Sequence, residues 1–285
     1  MTTPRIALFL ALLLPALSAA HADDRPADAL PAQLQGVGIV PKPQAQLPFD
    51  ATFRDEDGKT VTLGDYFHSG RPVILNLMYL RCTALCNPAL NSLIQTLTEL
   101  PPDWNVGSRF DVLTVSFDPL ETPQLARAKK ESILAAYGRS GAAEGWHVLT
   151  GDEKNIRALT DAVGFYYRWD PQTNQFAHDV AQIVVAPTGM VTHYLHSVTY
   201  EPQTVRLALT ESAGGKIGSV GDRIALFACF SFNPTTARYQ IAAFKLLRLA
   251  GLASIALLAG FVGRLVSLTR RRHAAPPPPP LVQSL

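Results

Sequence analysis

Two periods of apolar residues organise the chain. Apolar runs of strand length recur at Val73 to Leu80, Phe110 to Phe117, Trp146 to Leu149 and Val180 to Ala186. Between them the spacing turns helical: Leu90, Leu93, Ile94 and Leu97 stand at i, i+3, i+4 and i+7. Two further helices are expected, from Thr122 to about Gly138 and from Asp152 to Val163; Thr122 suits a cap and Pro123 the first helical position. Ahead of the first long run, Phe49 to Val61 (FDATFRDEDGKTV) reads as a hairpin turning at Asp57-Gly58, followed by a helical turn over Leu63 to Phe67. Phe165 to Trp169 is aromatic and β-prone. Pro187-Thr188-Gly189 makes a turn, Val191 to Val198 is the hairpin partner of the Val180 run, and Pro202 to Ser212 is a last amphipathic helix. Strands alternating with helices, closed by a hairpin and a helix, predict an α/β domain with a central sheet flanked by helices.

The two ends of the chain break this pattern. Arg5, the apolar stretch Ile6 to Leu17 and the small-residue site Ala20-His21-Ala22 make a secretory signal, with Asp23 as the mature start. The domain is therefore expected in an oxidising compartment, where a thiol pair must be kept reduced or hold a metal. At the other end Leu249 to Gly263 is 15 residues without a charge, short against the ~20 that span a bilayer. Extending it from Ile241 to Leu268 adds Lys245, Arg248 and Arg264, which can snorkel to the interfaces. Arg270, Arg271 and Arg272 outweigh Lys245 and Arg248 and put the C-terminus in the cytoplasm. The expected organisation is a signal peptide (1–22), a flexible arm (23–47), the α/β domain (48–213), a juxtamembrane connector (214–240), a transmembrane helix (241–268) and an extended Pro-rich tail (269–285). That makes a single-pass protein of the inner membrane with its domain on the periplasmic side and lipid as one partner.

With 17% charged residues and a net charge of +2, the chain offers no basic patch interleaved with aromatics, and nucleic acid is not an expected partner. Three cysteines leave one outside any pair. The chemistry lies in the other two. Cys82 and Cys86 follow the first long strand and open the first helix. Four-residue spacing sets their side chains on one helix face, roughly 5–6 Å apart at Cβ, close enough to share a metal ion or to close a disulfide. A helix N-terminus favours the thiolate. The plain alternative is two small apolar residues packed in a core. Arg81, directly before Cys82, is expected to stabilise the thiolate by its opposite charge.

A cysteine pair where the first main strand meets its helix is the thioredoxin arrangement, although the spacing here is CxxxC and not CxxC. Two thiolates suit Cu(I), and imidazole is the usual third donor. Of the seven histidines, His178 stands in the loop FAHDV before the strand Val180 to Ala186; in a thioredoxin-like sheet that loop faces the cysteine turn. By residue type alone a lone loop histidine is more often solvated than liganding. His147 reads as packed, and His193 and His196, three apart on one strand, read as surface residues on opposite faces.

CTALCN at Cys82 to Asn87, VSFDPLETP at Val115 to Pro123 and FAHDVAQIVVAPTG at Phe176 to Gly189 together resemble the Sco/SenC family of thioredoxin-like copper proteins. The likeness covers about Leu34 to Leu209. It implies Cys82, Cys86 and His178 as ligands of copper, Cu(I) and also Cu(II), and a loop shaped by Asp118 and Pro119. It implies delivery of copper to the copper-bearing subunit of cytochrome c oxidase, a donor chaperone upstream, and ligand exchange in place of bond-making catalysis. FACFSFNPTTARY, which contains Cys229, looks like the segment before the span in membrane-anchored bacterial members. Thr83 stands where the family commonly has proline. The other reading of the same cysteines is a thiol–disulfide reductase that keeps oxidase cysteines reduced, with Cys82 and Cys86 as its redox pair and His178 tuning a thiolate.

Overall fold

The computed structural model describes residues 36–82, 86–196, 199–214, 218, 220–224, 230–233, 238–241 and 243–273. The expected signal peptide, the polyproline tail and Cys229 lie outside the described residues. A short strand β1 (Gly38–Ile39) precedes the hairpin β2 (Thr52–Arg54) and β3 (Thr60–Thr62), and a single 3-10 turn over Leu63–Tyr66 follows. Then come β4 (Val73–Met78), α1 (Cys86–Glu99), β5 (Asp111–Ser116), α2 (Pro123–Tyr137), β6 (Trp146–Leu149) and α3 (Glu153–Ala162). Next are β7 (Phe165–Tyr166), the hairpin β8 (Arg168–Asp170) and β9 (Gln175–Ala177), the hairpin β10 (Ala181–Val185) and β11 (Val191–His196), and α4 (Pro202–Ser212). A short α5 (Val220–Ile224), a hairpin β12 (Phe230–Asn233) and β13 (Arg238–Ile241), and α6 (Ala243–His273) complete the described chain.

The main sheet has the order β11-β10-β4-β5-β6. Strands β4, β5 and β6 run parallel with α1 and α2 as crossovers, and β10 pairs antiparallel with both β4 and β11. Every residue of β4, β5 and β10 is buried. Burial on both faces requires helices on both, and explains why these strands are unbroken apolar runs in the sequence. This is a thioredoxin-like sheet flanked by helices. The helix ends follow local chemistry. Thr122 is extended before Pro123 at the start of α2, and Gly138 closes that helix with φ +68°. The Asp152 carboxylate accepts the Asn155 N–H at 2.8 Å and caps α3.

Register is fixed by a polar thread through the core. Trp146 Nε1 donates to Thr114 Oγ1 at 3.2 Å, Asn76 Nδ2 lies 3.5 Å from the same oxygen, and Gln182 Nε2 donates to Asn76 Oδ1 at 3.2 Å. These residues sit on β6, β5, β4 and β10, so a slip of one residue in any pairing would strand a buried polar group.

The structure departs from the sequence reading at residues 36–47 and at His193, and adds detail in the connector. Residues 36–47, expected as part of a flexible arm, are docked: β1 pairs with β7, the Val40 N–H reaches the Gly164 carbonyl at 2.9 Å, and Leu47 is buried. Sequence patterning missed this because β1 is only two residues long. The connector is likewise structured over its described parts. Arg206 of α4 pairs with Asp222 of α5 at 2.9 Å, and Phe232 and Tyr239 of the β12–β13 hairpin pack against His193. His193, read as a surface residue, is therefore buried, with Nε2 3.2 Å from the Glu211 carboxylate. Its cover comes from a hairpin some 40 residues later, which no strand-level pattern announces.

Helix α6 has 31 residues. Its window Ala250–Ser267 has mean hydropathy 1.7, and none of it is buried within the protein. Leu252, Ile255, Leu257 and Phe261 are exposed on different sides of the helix. Such a helix, apolar all round and uncovered, is long and apolar enough to span a membrane.

Candidate metal-binding site

The predicted site residues lie where the parallel strands end. Past Met78 the chain leaves β4, turns at Tyr79 to Cys82, and re-enters regular structure as α1, whose first residue is Cys86. The Cys82 N–H donates to the Tyr79 carbonyl at 3.2 Å, and the Cys82 carbonyl accepts the Asn87 side-chain amide at 2.9 Å. Asn87 is in turn held by Lys129 of α2 at 3.1 Å. Cys82 is buried, with 3% of its surface exposed. Thr83 to Leu85 and the Cys86 side chain are outside the described residues.

His178 reaches the same end of the sheet by topology. Strand β10 is antiparallel to β4, with Gln182 opposite Asn76. Each step back along β10 is a step forward along β4, so residue 178 comes level with Leu80. The imidazole lies edge-on to Tyr79 at 5.8 Å and to Phe117 at 5.1 Å between ring centroids. Burial among these rings lowers its pKa, opposed by the Asp179 carbonyl and carboxylate, so it is neutral at pH 7. Nδ1 donates to the Asp179 carbonyl at 2.7 Å, which fixes the tautomer and leaves the lone pair on Nε2. Half-buried His178 thus stands beside the cysteine loop. His147 is drawn instead into a contact with Glu56, on the far side of β6 from the site. Among the described residues no three His, Cys, Asp or Glu side chains gather as a metal site would need.

Arg81 behaves differently from its expected role. Its guanidinium is 2.7 Å from Asp118 and 3.5 Å from Glu121, and hydrogen bonding to Asp118 raises its pKa further. Its charge is therefore committed to two carboxylates, so it does not act on Cys82 as a lone cation. Asp118 shapes its loop as expected: its carboxylate also accepts the Leu120 N–H at 2.9 Å. Glu121 was passed over in the sequence. The only signal was an acid directly ahead of the Thr122-Pro123 helix start, ordinarily read as a helix-dipole residue.

A cleft of about 880 Å³ opens next to the loop. Tyr79, Tyr167 and Phe176 line it, with Leu120 and Trp169 at its edges. Leu120 is 78% exposed and Trp169 44% exposed, and the charged side chains of Arg81, Asp118, Glu153 and Arg157 share the lining with these apolar groups.

A family model described as SCO1/SenC matches residues 41–213. The chain belongs to the SCO1/SenC family. That match spans the five-stranded sheet, α1 to α4 and all three predicted ligands. Among solved structures, a candidate electron transfer protein from Aquifex aeolicus VF5 is 26% identical, with a TM-score of 0.54 over 61% of this chain and 96% of that one. A candidate electron transport protein from the same organism is also 26% identical, with a TM-score of 0.50 over 61% and 99%. Arabidopsis thaliana ScoI with copper bound is 17% identical, with a TM-score of 0.47 over 59% and 97%. No curated protein matches the chain.

Proposed function

We propose that this SCO1/SenC protein is a membrane-anchored copper-binding assembly factor that delivers copper to cytochrome c oxidase. Copper is cargo here, held by Cys82, Cys86 and His178 and passed on by ligand exchange. The observation that supports this most is His178: neutral, tautomer set by Asp179, and packed on Tyr79 and Phe117 beside the turn that carries Cys82. Two thiolates and an imidazole suit Cu(I), and Cu(II) is compatible with the same set. Three donors leave one side of the ion open, so a ligand of the acceptor can add before a donor leaves. The acceptor is the copper-bearing oxidase subunit and the source a donor chaperone. Anchoring by α6 on the inner membrane, with the domain on the periplasmic side, raises the effective concentration of the domain near a membrane-embedded acceptor.

The reductase reading draws on a different observation. Cys86 is the first residue of α1, where the helix favours a thiolate nucleophile. Burial of Cys82 counts against attack on large substrates through that sulfur.

The test is Cu(I) uptake by the detergent-solubilised full chain, reduced under anaerobic conditions, against a competing chelator. One tightly held equivalent, lost on Cys82→Ala, Cys86→Ala or His178→Ala, is the expected result. No uptake, with the cysteine pair still cycling against a thiol donor, would shift the reading to the reductase.

A further inference from the structure

The chain between Met78 and Cys82 has left the sheet. At the end of β4 the Phe117 N–H donates to the Met78 carbonyl at 3.0 Å. Further along, the N–H groups of Leu80 and Arg81 both go to one side chain. Glu121 Oε2 accepts the Leu80 N–H at 2.7 Å and Oε1 accepts the Arg81 N–H at 2.8 Å. Ser116 Oγ, at the end of β5, donates to Oε2 at 2.6 Å, and Arg81 Nε lies 3.5 Å from Oε1. The Glu121 side chain has no exposed surface.

A carboxylate has about four acceptor sites, and here four donors surround it. Bonds to a buried charge are short and about twice as strong as neutral ones. A glutamine would offer one acceptor oxygen and turn an NH₂ group towards a backbone N–H. An acid serving only the α2 dipole would need none of these contacts, and it would do as well exposed.

We propose that Glu121 is the positioning residue of the metal loop, its buried carboxylate tying Leu80 and Arg81 to the end of β5 and so fixing where Cys82 enters the site. This rests on the copper reading given above. The carboxylate takes over where the sheet ladder stops and holds Leu80 and Arg81, the two residues directly before Cys82. Partners behind a ligand are typically worth 10–100-fold in metal affinity.

The experiment compares the full chain in detergent with Glu121→Gln and Ser116→Ala, reading amide hydrogen exchange without metal and Cu(I) affinity by chelator competition. Glu121→Gln is expected to speed exchange at Leu80 and Arg81 while β4 and β5 keep their protection, and to weaken Cu(I) binding by about 10–100-fold. Ser116→Ala, which leaves both loop bonds in place, is expected to weaken it only a few-fold and serves if Glu121→Gln does not fold. A folded Glu121→Gln chain with unaltered affinity overturns the proposal. So does Ser116→Ala with faster exchange at Leu80 and unaltered affinity. If the unaltered chain takes up no Cu(I), the copper reading falls separately. The anchor is then judged by the equilibrium of the Cys82–Cys86 pair with a glutathione buffer. Glu121→Gln must shift that equilibrium, and an unshifted one overturns the proposal.

Discussion

At the scale of single residues, the site depends on where a few side chains are aimed. Removing a direct ligand should cost more than removing a residue behind one, so His178→Ala is expected to weaken Cu(I) binding by more than about 100-fold. An affinity within tenfold of the unaltered chain would take His178 out of the ligand set. Glu56 gives a second test, in stability. Burial pushes its carboxyl upward, but hydrogen bonds from His147 and Lys130 win, and the pKa falls from 4.5 to about 2. A group lowered in the folded state contributes stability that is complete above pH 4.5 and is lost as pH falls through about 2. The size is on the order of 3 kcal/mol. Glu56→Gln should be less stable at pH 7 and should lose less of its remaining stability between pH 5 and 2, measured by urea unfolding. Cys82 and Cys86 were legible in the sequence because a strand end and their spacing mark them, and His178 only through the family resemblance. Glu121 was not, since the donors that surround it sit five and about forty residues away and depend on tertiary contact.

At the scale of elements, the long buried strands and the capped helices could be read from the chain, because apolar period and capping chemistry are local. The two-residue strand β1 and the β12–β13 hairpin could not. Both are held by what they pack against, and neither has a period of its own. Gly164 tests the first. With φ +66° and the Val40 carbonyl in the way of any Cβ, Gly164→Ala should cost more than about 1 kcal/mol and undock β1. Loss of protection at the Val40 amide, with that of β4 unchanged, would show it; a neutral substitution would mean β1 contributes nothing. His193, Glu211 and Tyr239 test the second. Tyr239 OH donates to the Glu211 carboxylate that also meets His193. Tyr239→Phe is expected to increase proteolysis within 225–242 while the domain stays folded.

At the scale of the whole molecule, a family domain over residues 41–213 is joined to one apolar helix through a connector whose described parts are structured. Chains ending at Ala242 should stay in solution, whereas the full chain should float with lipid vesicles; recovery of both in the same fraction would contradict anchoring by α6. Because the hairpin before α6 covers His193, a chain cut at Ser219 should be less stable than one cut at Ala242. Anchor and domain act together in the proposed delivery, and the proposed metal ligands all lie in the domain. The measurement that tests that ligand set most directly is X-ray absorption at the copper edge of the Cu(I)-loaded full chain. Two sulfurs and one imidazole nitrogen around the ion, with the nitrogen lost on His178→Ala, is the predicted result. A copper with no imidazole in the unaltered chain, or with its sulfurs retained after both Cys82 and Cys86 are replaced, would contradict it.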